Sequence, residues 1–253
     1  MVYYKDKTIW ITGASSGIGM ALARALDIEG VNLILSARSE NKLKELSTSL
    51  SRARSLVLPM DLSQSDTFES VANQAEQAFD SIDILINNAG ISQRSEAMAT
   101  DTVVERQIME VNFFGNIALS KAVLNSMRSR KQGHLVIMSS VGGKFGLRLR
   151  STYSASKHAL HGYYESLRME EKKNGIRVTL VCPGRIDTSI STNAMNADGI
   201  RHGKKDQNQS AGMDVNRCAA QILKGIKNQK MEIFVVGKER RSARIKRLLP
   251  RFL

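Results

Sequence analysis

Thr8-Ile9-Trp10-Ile11-Thr12-Gly13-Ala14-Ser15-Ser16-Gly17-Ile18-Gly19 decides the fold of this chain. Its first five residues are β-branched or aromatic and read as a strand. Three glycines follow within seven residues, and then Leu22, Ala25 and Leu26 recur at helical spacing. Strand, glycine turn and helix in that order make a phosphate-binding turn. Gly13 permits the tight exit from the strand, Gly17 lets backbone approach a pyrophosphate, and Gly19 allows the helix to lie close on the strand. Ser15, Ser16 and Ile18 complete the turn where the helix offers free N–H groups and partial positive charge to phosphates. The spacing is G-x3-G-x-G rather than G-x-G-x-x-G, so the turn taken alone leaves a purely structural role open.

Outward from this stretch, β-rich runs at 31–35, 55–58, 82–86, 134–138, 176–181 and 231–236 alternate with helical patterns. Seven strands with crossover helices predict an α/β chain with a doubly wound, mainly parallel, Rossmann-like sheet in a single domain over 1–237. The polar segment 189–212 breaks the rhythm. A loop of that length is expected to be functional or mobile, and here it is read as a lid over the substrate.

In such sheets, ligands bind at the carboxyl ends of the strands. Gly13 to Gly19, Arg38-Ser39, Asp61-Leu62, Asn88-Ala89-Gly90, Ser139-Ser140 and Pro183-Gly184 follow six of the seven predicted strands. Tyr153-Ser154-Ala155-Ser156-Lys157 then places a phenol and an ammonium on one helix face, about 6 Å apart along the axis. A phenol with a pKa of about 10 is a poor acid–base group at neutrality. A lysine charge ~4 Å away at an effective dielectric of ~20 is worth ~4 kcal/mol, which would lower that value by up to about three units.

About 20 residues after the glycine turn, NAD-binding sites place a carboxylate on the ribose. The second strand instead ends Ser36-Ala37-Arg38-Ser39. A guanidinium pairs with a 2′-phosphate that a carboxylate would repel, so NADP(H) is expected over NAD(H). The alternative is that Arg38 is solvated and Glu40 takes the ribose.

The remaining composition is ordinary. Hydrophobic content is 42 %, and no run of ~18 apolar residues suggests a membrane span. The start, Met1 to Lys7, has no apolar signal core, so the cytoplasm is the expected compartment. Cys182 and Cys218 have no metal-ligand spacing. His158 and His161 share a helix face, but no cysteine or acidic partner is placed to complete a ligand set, so no metal is expected. The net charge of +13 is concentrated at one end: residues 238–253 hold seven Lys/Arg and one acid, a net +6. Within that tail, Ile245, Leu248, Leu249 and Phe252 form an apolar stripe at helical spacing. It either packs on the protein's own body or a sister subunit, or attaches reversibly to an anionic membrane.

The glycine turn, Asn87-Asn88-Ala89-Gly90, Asn112, Ser140, Tyr153-x-x-x-Lys157 and Pro183-Gly184 with Thr188 together resemble the short-chain dehydrogenase/reductase family over essentially the whole chain. Residues 192–201 and the basic end are further similar to its member 7B-like group, whose animal members carry an N-terminal membrane anchor that this sequence does not show. The resemblance implies specific roles. Tyr153 is proton donor in reduction and base in oxidation. Lys157 lowers the tyrosine pKa and binds the nicotinamide ribose. Ser140, rather than Ser139, hydrogen-bonds the carbonyl oxygen, and Asn112 holds a water that relays protons from Lys157. Asn88, Ala89 and Gly90 line the cofactor cleft, Asp61 and Leu62 flank the adenine, and Ile186 and Thr188 meet the carboxamide. A homodimer or homotetramer is implied.

The expected function is thus an NADP(H)-dependent oxidoreductase acting on a small carbonyl or alcohol, lipid-like if the tail touches membrane. The alternatives are a catalytically silent dinucleotide sensor and a surface-associated binding protein on the same fold. Nucleic acid is not expected, because the basic tail has no aromatic residues interleaved for base stacking.

Overall fold

The β-rich runs all become strands, with ends shifted by no more than two residues. They are β1 (Thr8–Thr12), β2 (Asn32–Ser36), β3 (Arg54–Val57), β4 (Ile84–Asn87), β5 (Gly133–Met138), β6 (Ile176–Pro183) and β7 (Glu232–Val235). The computed structural model describes residues 2–204 and 211–237. The basic tail at 238–253, with its apolar stripe, lies outside the described residues. All strand pairings are parallel, in the order β3-β2-β1-β4-β5-β6-β7. The chain winds outward from β1 in one direction and from β4 in the other, so the crevice opens between those two strands.

Among the described residues, seven α-helices accompany the sheet: α1 (Gly17–Ala25), α2 (Glu40–Ser49), α3 (Phe68–Phe79), α4 (Thr102–Met109), α5 (Gly115–Ser129), α6 (Ser151–Glu171) and α7 (Val215–Lys227). Strand periodicity divides the core between the two sheet faces. Ile9, Ile11, Leu33 and Leu35 join Leu22 of α1, Leu43 of α2 and Ile222 of α7. Trp10, Ile34, Leu85 and Leu135 turn the other way, onto Phe68 of α3, Leu119 of α5 and Leu160 of α6. Each such fully buried side chain contributes about 1.5–3 kcal/mol. Trp10 also satisfies its indole N–H on Ser36 Oγ at 2.8 Å, so the buried ring leaves no unpaired donor.

Two segments depart from the sequence pattern. Between α4 and α5 the helix widens into a π turn over Glu110–Phe114, which carries Asn112. Such one-turn bulges recur at functional sites. The expected lid is more ordered over 189–204 than its composition implies. Met195 bridges both Gln93 and Arg201, Asn196 accepts at its side chain from Asp198 N and Ile200 N, and Asp101 N donates to Ala197 O at 3.0 Å. Backbone pairing with the chain after β4 supplies the order that hydrophobic periodicity does not. Among the described residues, no helix is long and apolar enough to cross a membrane.

Candidate active site

The turn after β1 leaves little room for side chains. Gly13 (φ +66) and Gly17 (φ +53) sit where the backbone favours glycine. A Cβ on Gly13 would lie 2.9 Å from both Ala89 Cα and Asn88 Nδ2, and one on Gly19 would strike the Gly13 carbonyl oxygen. Asn88 Nδ2 donates to Thr12 O at 2.9 Å, while Thr12 Oγ1 accepts from the N–H groups of Asn88 and Ala89, both at 3.0 Å. These bonds tie the glycine turn to the end of β4. Ser16 caps α1 without a side-chain bond to the helix, so the first N–H groups of α1 receive no hydroxyl from it.

Around this turn lies a cavity of ≈ 1120 Å³. Its wall includes Gly13, Ser15, Ser16, Gly17, Ile18, Arg38, Ser39, Asp61, Leu62, Asn88, Ala89, Gly90, Ser140, Tyr153, Lys157, Pro183, Gly184, Ile186 and Thr188. Of the residues expected to act in catalysis or to hold the cofactor, Gly19 and Asn112 are not part of this wall. Six strand ends therefore converge on one space large enough for a dinucleotide and a small substrate.

Tyr153 and Lys157 come from the first two turns of α6, with Lys157 Nζ 5.8 Å from the phenol ring centroid. Both are buried. Burial pushes the Tyr153 phenol above its usual range, while its hydrogen bond with Ser140 and the Arg150 charge pull the other way. Burial pushes the Lys157 ammonium down to about 8, and Nζ donates to Met138 O at 2.9 Å. The Ser140 hydrogen bond and the Arg150 charge thus act on the phenol against its burial, while Lys157 Nζ stands beside the ring and is held by a backbone carbonyl.

Asn112 is fully buried. Its Oδ1 accepts from Ile91 N at 2.8 Å, and Nδ2 donates to Ile91 O at 2.9 Å and Ser156 Oγ at 3.0 Å. The amide is thus occupied in joining the chain after β4 to α6. It stands behind Gly90, where an added Cβ would lie 3.0 Å from Asn112 Oδ1 and 3.4 Å from Lys157 Nζ. Ser139 points away from the cavity centre's chemistry: its hydroxyl donates to Lys157 O at 3.2 Å and meets His161 Nε2 at 3.0 Å.

At the far end, Ala37, Arg38, Ser39 and Lys42 share the wall with Asp61. Asp61 Oδ1 accepts from Ser63 N and Ser63 Oγ, both at 2.9 Å. Glu40 is not part of the wall; it pairs with Lys44 at 2.7 Å along α2.

Sequence reasoning missed several neighbours. Arg94, Arg148, Arg150, Arg185 and Arg201 also line the cavity, where Asp61 is the sole acid among the described residues. They come from four separate stretches, around 94, 148–150, 185 and 201, so no long run of charge announces them. Gln93, buried beside α6, carried no motif at all. His161 was expected to lack metal-type partners, yet Cys182 and Glu232 bring ligand atoms within 4.8 Å of it. They arrive from β6 and β7, which only the sheet makes adjacent. Lys144 Nζ occupies this cluster, 2.5 Å from Glu232 and 3.2 Å from His161 Nδ1, supplying the positive charge there.

A doubly wound parallel sheet, a glycine turn against a helix N-terminus and a Ser–Tyr–Lys cluster define a dinucleotide-dependent oxidoreductase. The sequence pattern described as short chain dehydrogenase matches residues 7–199, and the chain belongs to that family. It is 38% identical to the mouse dehydrogenase/reductase SDR family member 7B over 92% of this chain and 74% of that protein. It is 40% identical to the Anopheles gambiae SDR family protein 7-like over 92% and 76%. Among solved structures, a short-chain dehydrogenase from Streptomyces avermitilis superposes with a TM-score of 0.82 at 27% identity, over 96% of this chain and 93% of that one. A Burkholderia phymatum family member in complex with NAD gives 0.85 at 22% identity, over 98% and 95%.

Proposed function

We propose that this dehydrogenase/reductase interconverts a carbonyl and a secondary alcohol with NADP(H) as the preferred cofactor. One observation carries the reading: Ser140, Tyr153 and Lys157 meet at one end of the cavity, and Arg38, Ser39 and Lys42 stand at the other without Glu40. The glycine turn fits a dinucleotide, since added Cβ atoms at Gly13 and Gly17 would crowd Ala89 and Thr188 beside the helix N-terminus. When bound, the cofactor supplies or accepts the hydride.

The chain's own residues handle the proton and the developing charge. Tyr153 gives its phenolic proton to the carbonyl oxygen in reduction and takes it back in oxidation. Ser140 donates a second hydrogen bond to that oxygen as negative charge develops. Burial keeps the phenol protonated at neutral pH, which is the form that reduction requires. Lys157 orients the nicotinamide ribose from the same face. Asn112 works from behind Gly90, holding Ile91 and Ser156 on either side of Lys157. Asn88, Ala89 and Gly90 form the cleft floor, Asp61 and Leu62 its adenine side, and Pro183, Gly184, Ile186 and Thr188 its nicotinamide side.

NADPH and NADH oxidation across a panel of carbonyl compounds tests the reaction, and titration of each cofactor tests the preference. A charge-assisted pair is worth about 1.5–3 kcal/mol. Arg38→Ala should therefore weaken NADPH roughly ten- to a hundredfold and leave NADH nearly unchanged. Equal affinity of the wild type for both cofactors would overturn the preference. The same reading extends to a homodimer or homotetramer in the cytoplasm, checked by sedimentation.

A further inference from the structure

The helix that carries Tyr153 starts without a cap of its own. Arg150 occupies the N-cap position of α6 and supplies no side-chain capping hydrogen bond. The first N–H groups of a buried helix need acceptors. Here the acceptor comes from far away in sequence. Gln93 Oε1 accepts from Thr152 N at 2.9 Å and from Tyr153 N at 3.1 Å. These are the second and third helical positions, the two that an N-cap side chain ordinarily serves.

Gln93 is fully buried, and its other end is anchored as well. Its Nε2 donates to Thr100 Oγ1 at 3.1 Å, Ser151 Oγ at 3.2 Å and Ser95 Oγ at 3.4 Å. Its backbone is held too, because Met195 N donates to Ser92 O at 2.9 Å and Arg94 N donates to Met195 O at 2.7 Å. Met195 belongs to the segment 189–204 and lines the cavity. One amide side chain thus ties the chain leaving β4 to the peptide N–H of the proton-donating residue, while the backbone of its neighbours Ser92 and Arg94 ties that chain to the segment 189–204.

We propose that Gln93 is a positioning residue for the acid–base centre: a remote N-cap that fixes the first turn of α6, and with it the Tyr153 phenol, against the chain leaving β4. This rests on the assignment of Tyr153 as proton donor. A cap needs an acceptor, which Leu lacks and Glu retains. The three hydroxyls around Nε2 can turn to donate to a carboxylate. A carboxylate at this position also brings negative charge toward the phenol and raises its pKa.

The test compares Gln93→Leu and Gln93→Glu in the full chain, with phenanthrenequinone as carbonyl probe and NADPH as reductant. Gln93→Leu is expected to lower kcat tenfold or more, with KM and the NADPH Kd within twofold of wild type. Gln93→Glu is expected to keep kcat within threefold and to move the alkaline limb of the pH–rate profile upward by about half a unit or more. Wild-type kcat in Gln93→Leu overturns the proposal, and so does a Gln93→Glu enzyme as impaired as Gln93→Leu at every pH. If Gln93→Leu does not fold, the Gln93→Glu profile decides, and an unmoved alkaline limb overturns the role. Should the wild type turn over no carbonyl, the acid–base assignment is what has failed. Amide hydrogen exchange of Thr152 and Tyr153 then reads the cap directly: tenfold faster exchange in Gln93→Leu supports it, and unchanged exchange overturns it.

Discussion

Tyr153 and Lys157 sit four residues apart on α6 and face opposite electrostatic problems. Burial raises the phenol and lowers the ammonium to about 8. Tyr153→Phe removes only the proton donor, so carbonyl reduction should fall below a tenth of wild type while NADPH binding stays within twofold. NADPH absorbance and cofactor titration check both. Lys157→Met should damage turnover and cofactor binding together. It also reports on stability. The folded ammonium has a pKa near 8 against about 10.4 unfolded, so the folded state carries the full desolvation penalty below pH 8 and sheds it as pH rises toward 10. Wild type should therefore gain stability relative to Lys157→Met across that window, by up to about 3 kcal/mol. A Tm difference between the two that does not change from pH 8 to 10 would contradict the buried-ammonium account.

Among the elements, two glycines in helices make opposite predictions. Gly19 lies in the first turn of α1, where an added Cβ would strike the Gly13 carbonyl oxygen and lie 2.6 Å from Asn88 Nδ2. Backbone atoms cannot yield as a flexible side chain would. Gly19→Ala should cost about 1–3 kcal/mol and weaken cofactor binding, because the phosphate turn must shift with the helix. Gly162 is exposed in the middle of α6 with nothing within 4 Å of its Cβ position. Gly162→Ala should stabilise by about 0.5–1 kcal/mol through helix propensity alone. Chemical denaturation of both variants measures the contrast. The sequence carried the first of these constraints in its motif and nothing of the second, since a helical glycine in open space looks the same on paper as one in contact.

For the molecule as a whole, acid lability should follow from two buried histidines. Burial lowers His134 to about 4, with Arg177 and Lys7 adding to the effect. Its Nε2 bonds Thr179 Oγ1 at 2.8 Å, whereas Nδ1 has no partner among the described residues. Burial lowers His161 to about 4 as well, with the Lys144 charge next in effect. Between pH 6.5 and 4 the unfolded chain binds protons that the folded chain refuses, so stability falls as pH drops through that window. Each histidine contributes up to about 3 kcal/mol of that loss. His134→Gln should flatten the acid side of the Tm–pH curve, and a slope equal to wild type would refute the assignment. The basic tail belongs to this scale too. If its stripe attaches to membrane, the protein should pellet with anionic but not neutral vesicles, and removal of residues 240–253 should abolish this.

By itself the sequence determined the seven strands, their alternation with helices, and the strand-end motifs from Gly13 to Thr188. These are local: strand periodicity, glycine φ angles and an i, i+4 pair on a helix are readable within a dozen residues. The short chain dehydrogenase family follows from the same motifs. What only the tertiary structure decided lies between distant segments. The cap of α6 comes from Gln93, 60 residues before Tyr153. The cluster of His161, Cys182 and Glu232 forms because β6 and β7 are neighbours in the sheet. Burial, the Ser140 hydrogen bond and the Arg150 charge meet at the phenol through the fold. Desolvation depends on which surfaces close over a group, and no spacing along the chain encodes that.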